Sequence, residues 1–129
     1  MNKFILSLGS NSDDRQSQMD LAFSHLKSVF DKVESSEIYE TEALNGKDAP
    51  YLNSVVVGFT NMGYDETVEY MKKWEKQCGR TSDSKLKGIV PIDIDVVVWN
   101  ETIVRPKDFE MSYFTRGYQQ LFTISIKIK

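Results

Sequence analysis

Several kinds of chemistry have little or no material in this 129-residue chain. It has one cysteine, Cys78, so no internal disulfide can form; that fits a reducing compartment, and a cytoplasmic location is expected. Cys78 itself reads as a small residue on the inner face of a helix. One histidine, His25, sits inside a predicted helix, which leaves nothing for a His-based zinc site or a Ser-His-Asp triad. The first apolar-rich run, Phe4-Ile5-Leu6-Ser7-Leu8, is too short for a signal peptide or a membrane span, so no membrane partner is expected. Nor is there a basic excess: 16 Lys and Arg against 19 Asp and Glu give a net charge of −3. A broad phosphate-backbone footprint needs the opposite sign, so nucleic acid is excluded as a main partner. Internal repeats and linkers are absent, and the length predicts a single domain over residues 1–129 with a sizeable core.

What the chain does have is Pro91-Ile92-Asp93-Ile94-Asp95-Val96-Val97-Val98-Trp99. The run reads as a buried β-strand carrying two carboxylates. Side chains at i and i+2 of a strand share a face, so Asp93 and Asp95 project together while Ile92, Ile94 and Val96 point to the other side. Two desolvated anions so close raise one another's pKa unless a cation sits between them. Hard oxygen donors in a pair suit Mg²⁺, which commonly binds one or two protein carboxylates plus substrate phosphates. An edge strand with two solvated aspartates is the blander reading; the flanking apolar run favours a central strand and the metal.

Hydrophobic periodicity places the rest. Residues 3–8 form a first strand, stopped by Gly9-Ser10-Asn11-Ser12-Asp13. A helix over roughly 14–31 follows, with Met19, Ala22, Phe23, Leu26, Val29 and Phe30 at helical spacing. Residues 33–39 are a weak second strand, 40–50 a loop, and 51–59 a strong strand. Asp65 opens a second helix whose stripe runs Val68, Met71, Trp74 or Glu75, and Cys78, with Gly79 placed to close it. A polar loop spans 80–90, and the two-aspartate strand comes next. A short strand near 102–104, a short helix within 110–121 and a strand over Phe122–Lys129, read from strict apolar/polar alternation, complete the chain. The tail strand could pair with a sheet edge, its own or that of another copy, so a monomer or weak homodimer is expected. The order β-α-β-β-α-β predicts an α+β, ferredoxin-like fold: an antiparallel sheet with its helices on one face.

Six fragments in order resemble the 6-hydroxymethyl-7,8-dihydropterin pyrophosphokinase family over about residues 3–118. They are Leu8-Gly9-Ser10-Asn11, Tyr39-Glu40-Thr41, Tyr51-Leu52-Asn53, Glu75-Lys76-Gln77-Cys78-Gly79-Arg80, Ile92-Asp93-Ile94-Asp95-Val96 and Arg116-Gly117-Tyr118. The resemblance implies this same fold. It also implies transfer of the terminal diphosphate of ATP to the pterin's hydroxymethyl oxygen, leaving AMP, in folate biosynthesis. By the same resemblance Asp93 and Asp95 hold two Mg²⁺ ions with ATP. Arg80 joins them as a catalytic residue, while Arg105 and Arg116, in register with the family, supply nucleotide-side charge; Lys85 and Lys87, outside the family's pattern, could add charge from the loop. Asn53 reads the pterin edge, Tyr118 stacks on its ring, Tyr51 lines the pocket, and Thr41 and Leu44 sit where a loop touches the heterocycle.

The nucleotide half departs from the family pattern. The stretch before the two-aspartate strand is Lys87-Gly88-Ile89-Val90-Pro91. Val90 stands where a loop arginine contacts phosphate, Lys87 replaces a tryptophan, Glu110 replaces a histidine and Lys72 a glutamine. Lysine lacks arginine's bidentate fork. Losing one transition-state charge contact costs roughly 10²–10³ in rate. An active but slow enzyme and a pterin- and metal-binding paralogue without significant turnover are both compatible with the sequence. A ferredoxin-like small-molecule sensor is a third reading, under which Tyr51, Asn53 and Tyr118 have no reason to converge.

Overall fold

The computed structural model describes residues 1–80 and 82–128, and the side chains within that range except those of residues 82, 85 and 123–128. The elements run β1 (Asn2–Ser10), α1 (Arg15–Val29), β2 (Asp31–Ser35), β3 (Tyr39–Thr41), β4 (Tyr51–Thr60) and α2 (Tyr64–Gln77). Then come α3 (Ser82–Leu86), β5 (Asp93–Trp99), β6 (Thr102–Ile103), α4 (Pro106–Glu110) and α5 (Ser112–Ile128). The strands form one sheet in the order β2-β4-β1-β5-β6, every described pairing antiparallel, with β3 also on β4. The antiparallel sheet and the α+β, ferredoxin-like class are as expected, but the helices are not all on one face: α1 and α2 cover one side of the sheet and α5 the other, where Ile5, Val55 and Val97 give it a second apolar surface to bury. No described helix is long and apolar enough to cross a membrane.

Strand alternation gives the sheet two apolar faces. Phe4, Leu6, Leu8, Val56, Ile94 and Val96 face one way and are buried against Met19, Ala22 and Leu26 of α1 and Met71 of α2. Ile5, Val55 and Val97 face the other way, against Phe114 of α5. Burying Phe, Leu and Ile side chains this fully is worth about 1.5–3 kcal/mol each before entropy. Gly117 lets α5 come close: a Cβ there would lie 2.7 Å from Val55 Cγ2 and 2.8 Å from Tyr39 Oη.

Three further expectations change. The weak second strand is two pieces, β2 and β3, separated by Ser36–Ile38 and paired with opposite ends of β4. The 80–90 loop contains the one-turn helix α3. The tail is no strand: residues through Ile128 continue α5. Phe114, Tyr118, Leu121 and Phe122 recur at helical spacing and pack on the second sheet face, and that burial overrides a short period-two run, which is ambiguous alone. Because α5 lies on the face opposite α1 and α2, it covers only part of that surface. The part left open holds the site.

Candidate active site

The floor of the site is set by strand register. Asn53 on β4 pairs with Gly9 on β1, and Gly9 pairs with Asp93 on β5, so an amide and a carboxylate flank a residue without a side chain. One step along, Ser7 pairs with Val55 and Asp95. A Cβ on Gly9 would lie 3.2 Å from Asn53 Oδ1 and 3.5 Å from Tyr51 Cδ2, so glycine keeps the floor flat where these groups converge. Above it lies a cleft of about 340 Å³, within the usual range for small-molecule sites. Its walls include Thr41 at the end of β3, Ala43, Leu44, Asn45 and Asp48 from the loop that follows, and Tyr51, Arg105, Asp108 and Tyr113. Asn53 is buried and donates from Nδ2 to Thr41 Oγ1 at 2.5 Å.

Asp93 and Asp95 share a face as expected, with Ile92, Ile94 and Val96 in the opposite core; the expected central strand is instead an edge at this end, since β6 pairs only with Val98 and Trp99, and the Glu75 and Lys72 side chains take the outward backbone of Ile94. Protein cations surround the pair. Arg80 Nη1 donates to Asp93 Oδ1 at 2.6 Å, and Lys72 Nζ to Asp95 Oδ1 at 3.1 Å. Both also reach Glu75 Oε2, at 3.2 and 3.3 Å. Arg105 lies 4.0 Å from Asp95 and pairs with Asp108, which also accepts from the Tyr113 hydroxyl. Among the described residues four carboxylates (Glu75, Asp93, Asp95, Asp108) thus meet three cations (Lys72, Arg80, Arg105). Burial and the neighbouring Asp93 raise the Asp95 carboxyl above its usual range, which Lys72 only partly offsets. For Arg80, burial works against the charge, but the bond to Asp93 and the surrounding anions outweigh it and raise its pKa. Burial and Asp93 push the Tyr51 phenol up, and burial with Asp108 does the same for Tyr113.

Glu75 is a residue that sequence reasoning left ambiguous. It is 4% exposed and accepts the Ile94 N–H at 2.6 Å. The signal was there: a charged residue at i+4 from buried Met71 on the helix stripe must carry partners inward. Asn11 is another. Its amide donates to Gly88 O at 2.8 Å and Ala49 O at 3.3 Å, and Oδ1 accepts the Val90 N–H at 2.6 Å. One buried side chain thus joins both loops beside the cleft.

The structure brings together Thr41, Leu44, Tyr51, Asn53, Asp93, Asp95 and Arg105 in the cleft wall, with Arg80 bonded behind Asp93. It does not bring Tyr118 there. That ring lies 5.2 Å from Phe109 and 4.6 Å from Phe122, inside the apolar cluster under α5; the helical continuation turns it to the sheet, and Tyr113 is the α5 aromatic on the cleft. Arg116 lies over the Tyr39 ring at 4.7 Å instead of in the cleft wall. Lys87 is exposed and pairs with Asp83 at 3.3 Å. The Lys85 side chain lies outside the described residues. A second, much smaller hollow of about 50 Å³ lies beyond β5, lined by Tyr64, Val68, Met71, Lys72 and Val96. Asp95 and Arg105 belong to the walls of both hollows.

Comparison with known proteins gives the family. The family profile described as 7,8-dihydro-6-hydroxymethylpterin-pyrophosphokinase (HPPK) matches residues 5–122. A folate synthesis bifunctional protein of Chlamydia trachomatis is 37% identical over 87% of this chain and 28% of its own length. The mitochondrial folate synthesis bifunctional protein of Pisum sativum is 34% identical over 78% of this chain and 20% of its own length. The 2-amino-4-hydroxy-6-hydroxymethyldihydropteridine pyrophosphokinase of Aquifex aeolicus is 32% identical over 79% of this chain and 64% of its own length. The match thus spans between a fifth and under a third of the bifunctional relatives and just under two thirds of the Aquifex protein. With its profile match running from β1 into α5, the chain belongs to the 7,8-dihydro-6-hydroxymethylpterin-pyrophosphokinase family.

Proposed function

We propose that this chain transfers the terminal diphosphate of ATP to the hydroxymethyl group of 6-hydroxymethyl-7,8-dihydropterin, giving AMP, as a step of folate synthesis. The observation that carries this reading is the wall shared by the two hollows: Asp95 and Arg105 stand between the cleft lined by Tyr51 and Asn53 and the smaller hollow beyond β5. A flat polar heterocycle fits the cleft, where the Asn53 amide can donate and accept at once. The smaller hollow is too small to enclose a purine but offers Val68, Met71 and Val96 as an apolar bed. A polyphosphate joining them would pass Arg105, Lys72 and the aspartates.

In the reaction the hydroxymethyl oxygen attacks the β-phosphorus. The bond from that phosphorus to the α,β-bridging oxygen breaks, AMP leaves with that oxygen, and the hydroxyl proton is lost. The chain's contribution is positioning and charge, as for phosphoryl-type transfer in general. Thr41, Tyr51 and Asn53 orient the heterocycle; Arg105 and Lys72 face the phosphates; the loops stitched by Asn11 exclude water. Among the described residues no three or more His, Cys, Asp or Glu side chains are grouped to hold a metal by themselves. The oxygen pair Asp93 and Asp95 does fit Mg²⁺, which completes its shell with water and phosphate. When bound, Mg²⁺ would bridge and neutralise the polyphosphate.

One observation favours a weaker activity. Among the described side chains between α2 and β5, Lys87 is paired with Asp83 on the surface and Val90 brings no charge; a pterin- and metal-binding paralogue with little turnover is the second reading. Isothermal titration with the pterin and a non-hydrolysable ATP analogue, beside an AMP-release assay, tests the pair. Both ligands binding with Mg²⁺ and slow pterin-dependent AMP supports the enzyme. Binding without AMP supports the paralogue, and absence of pterin binding contradicts both.

A further inference from the structure

Lys72 reaches around the outer edge of β5. There β6 pairs only with Val98 and Trp99, so the outward backbone of Ile94 has no strand beside it. Glu75 takes the Ile94 N–H and Lys72 donates to the Ile94 carbonyl at 3.3 Å. The same ammonium reaches Glu75 Oε2 at 3.3 Å and Asp95 Oδ1 at 3.1 Å. An ammonium has three donors, and all three have protein acceptors. Its far anchor is rigid, because Glu75 is buried and also bound to Arg80. Lys72 is therefore built in as the counter-ion of Asp95.

Like charges on one carboxylate repel, and the repulsion is strong where water is scarce. A free divalent cation arriving at Asp95 meets a charge already in place, and Mg²⁺ gives up its water reluctantly. A polyphosphate reverses the balance by bringing its own negative charge to the ammonium and the metal together. We infer that Lys72 is a tethered counter-cation that makes capture of a divalent metal by Asp93 and Asp95 conditional on bound polyphosphate. The inference rests on the assignment of Asp93 and Asp95 to the metal, and it makes Lys72 a positioning residue.

Mn²⁺ serves as the probe, titrated into the parent, Lys72→Gln and Lys72→Arg with and without a non-hydrolysable ATP analogue. Without nucleotide, Lys72→Gln should bind Mn²⁺ about tenfold or more tightly than the parent, and Lys72→Arg, which keeps the charge, should match the parent. With the analogue the three should converge. Lys72→Gln no tighter than the parent, while Mn²⁺ still binds with the analogue, overturns the role of Lys72 alone. No Mn²⁺ binding even with the analogue overturns the metal assignment as well. A second readout needs no folded variant: the Lys72 ¹³Cε resonance of the unaltered protein should stay in place with Mg²⁺ alone and move with Mg²⁺ and the analogue together. Movement with Mg²⁺ alone contradicts the inference.

Discussion

Glu75 accepts the backbone N–H of Ile94 at 2.6 Å, so a buried carboxylate on α2 meets β5 at the residue between Asp93 and Asp95. Through Arg80 and Lys72 the same carboxylate is linked to both aspartates. Their positions are thus fixed from behind the strand by a group that never enters the cleft.

Glu75→Ala leaves the Ile94 N–H without an acceptor and two cations without their common anion. The expected cost is about 2–4 kcal/mol of stability, read from urea denaturation. Glu75→Gln keeps an acceptor for Ile94 and should cost clearly less. Equal losses in the two variants would show that the Ile94 bond contributes nothing.

Asn53 and Tyr118 should separate in their effects. Asn53 lines the cleft, so Asn53→Ala should weaken pterin binding about tenfold or more, an unmatched buried polar edge costing about 1–3 kcal/mol. Tyr118 is packed among Phe109, Phe114 and Phe122, so Tyr118→Ala should lower the melting temperature and leave pterin affinity within about threefold, since the lost contacts are packing ones. A tenfold affinity loss in Tyr118→Ala with unchanged stability would restore that ring to the pocket.

His25 supplies a pH dependence. Its ring stacks on Trp74 with centroids 4.7 Å apart, and Nε2 lies 2.6 Å from the Tyr70 hydroxyl. Burial between α1 and α2 lowers its pKa. The folded state therefore holds this proton less tightly than the unfolded chain does, whose value is about 6.5. The His25 contribution is complete above that pH and is lost progressively below it. The urea midpoint should fall between about pH 7.5 and 5.5, and the fall should be smaller in His25→Gln. Identical pH profiles contradict this account.

Val90 is held by its backbone: its N–H donates to Asn11 Oδ1 and its carbonyl accepts from the Asn11 N–H at 3.1 Å. Its half-buried side chain makes neither bond. Val90→Arg should therefore fold and raise kcat more than it lowers the KM for ATP, because the added charge acts chiefly on the transition state. A change confined to KM would place the new arginine on the ground-state nucleotide.

Much of this architecture is legible in the sequence, because its signals are periodic and local. The same-face placement of Asp93 and Asp95 follows from strand alternation, and the α2 boundary from Gly79, which adopts φ +97°. Less legible are features that depend on distant partners. Glu75 is buried only because Ile94, Lys72 and Arg80 converge on it, and Asn11 joins two loops that lie 38 and 77 residues away. The tail misleads for another reason: Ile124, Ile126 and Ile128 alternate in a short β-branched run, yet the helix that packs on the sheet through Phe114 and Tyr118 carries on through them.

Whether pterin and ATP meet at Asp95 is decided by identifying the products. The parent and Asp95→Asn proteins are incubated with ATP, Mg²⁺ and 6-hydroxymethyl-7,8-dihydropterin, and AMP and the pterin product are quantified by mass spectrometry. AMP and pterin diphosphate in equal amounts are expected from the parent, formed slowly, and neither from the folded Asp95→Asn variant. Unchanged product from Asp95→Asn, or none from a parent that demonstrably binds both ligands, would contradict that expectation.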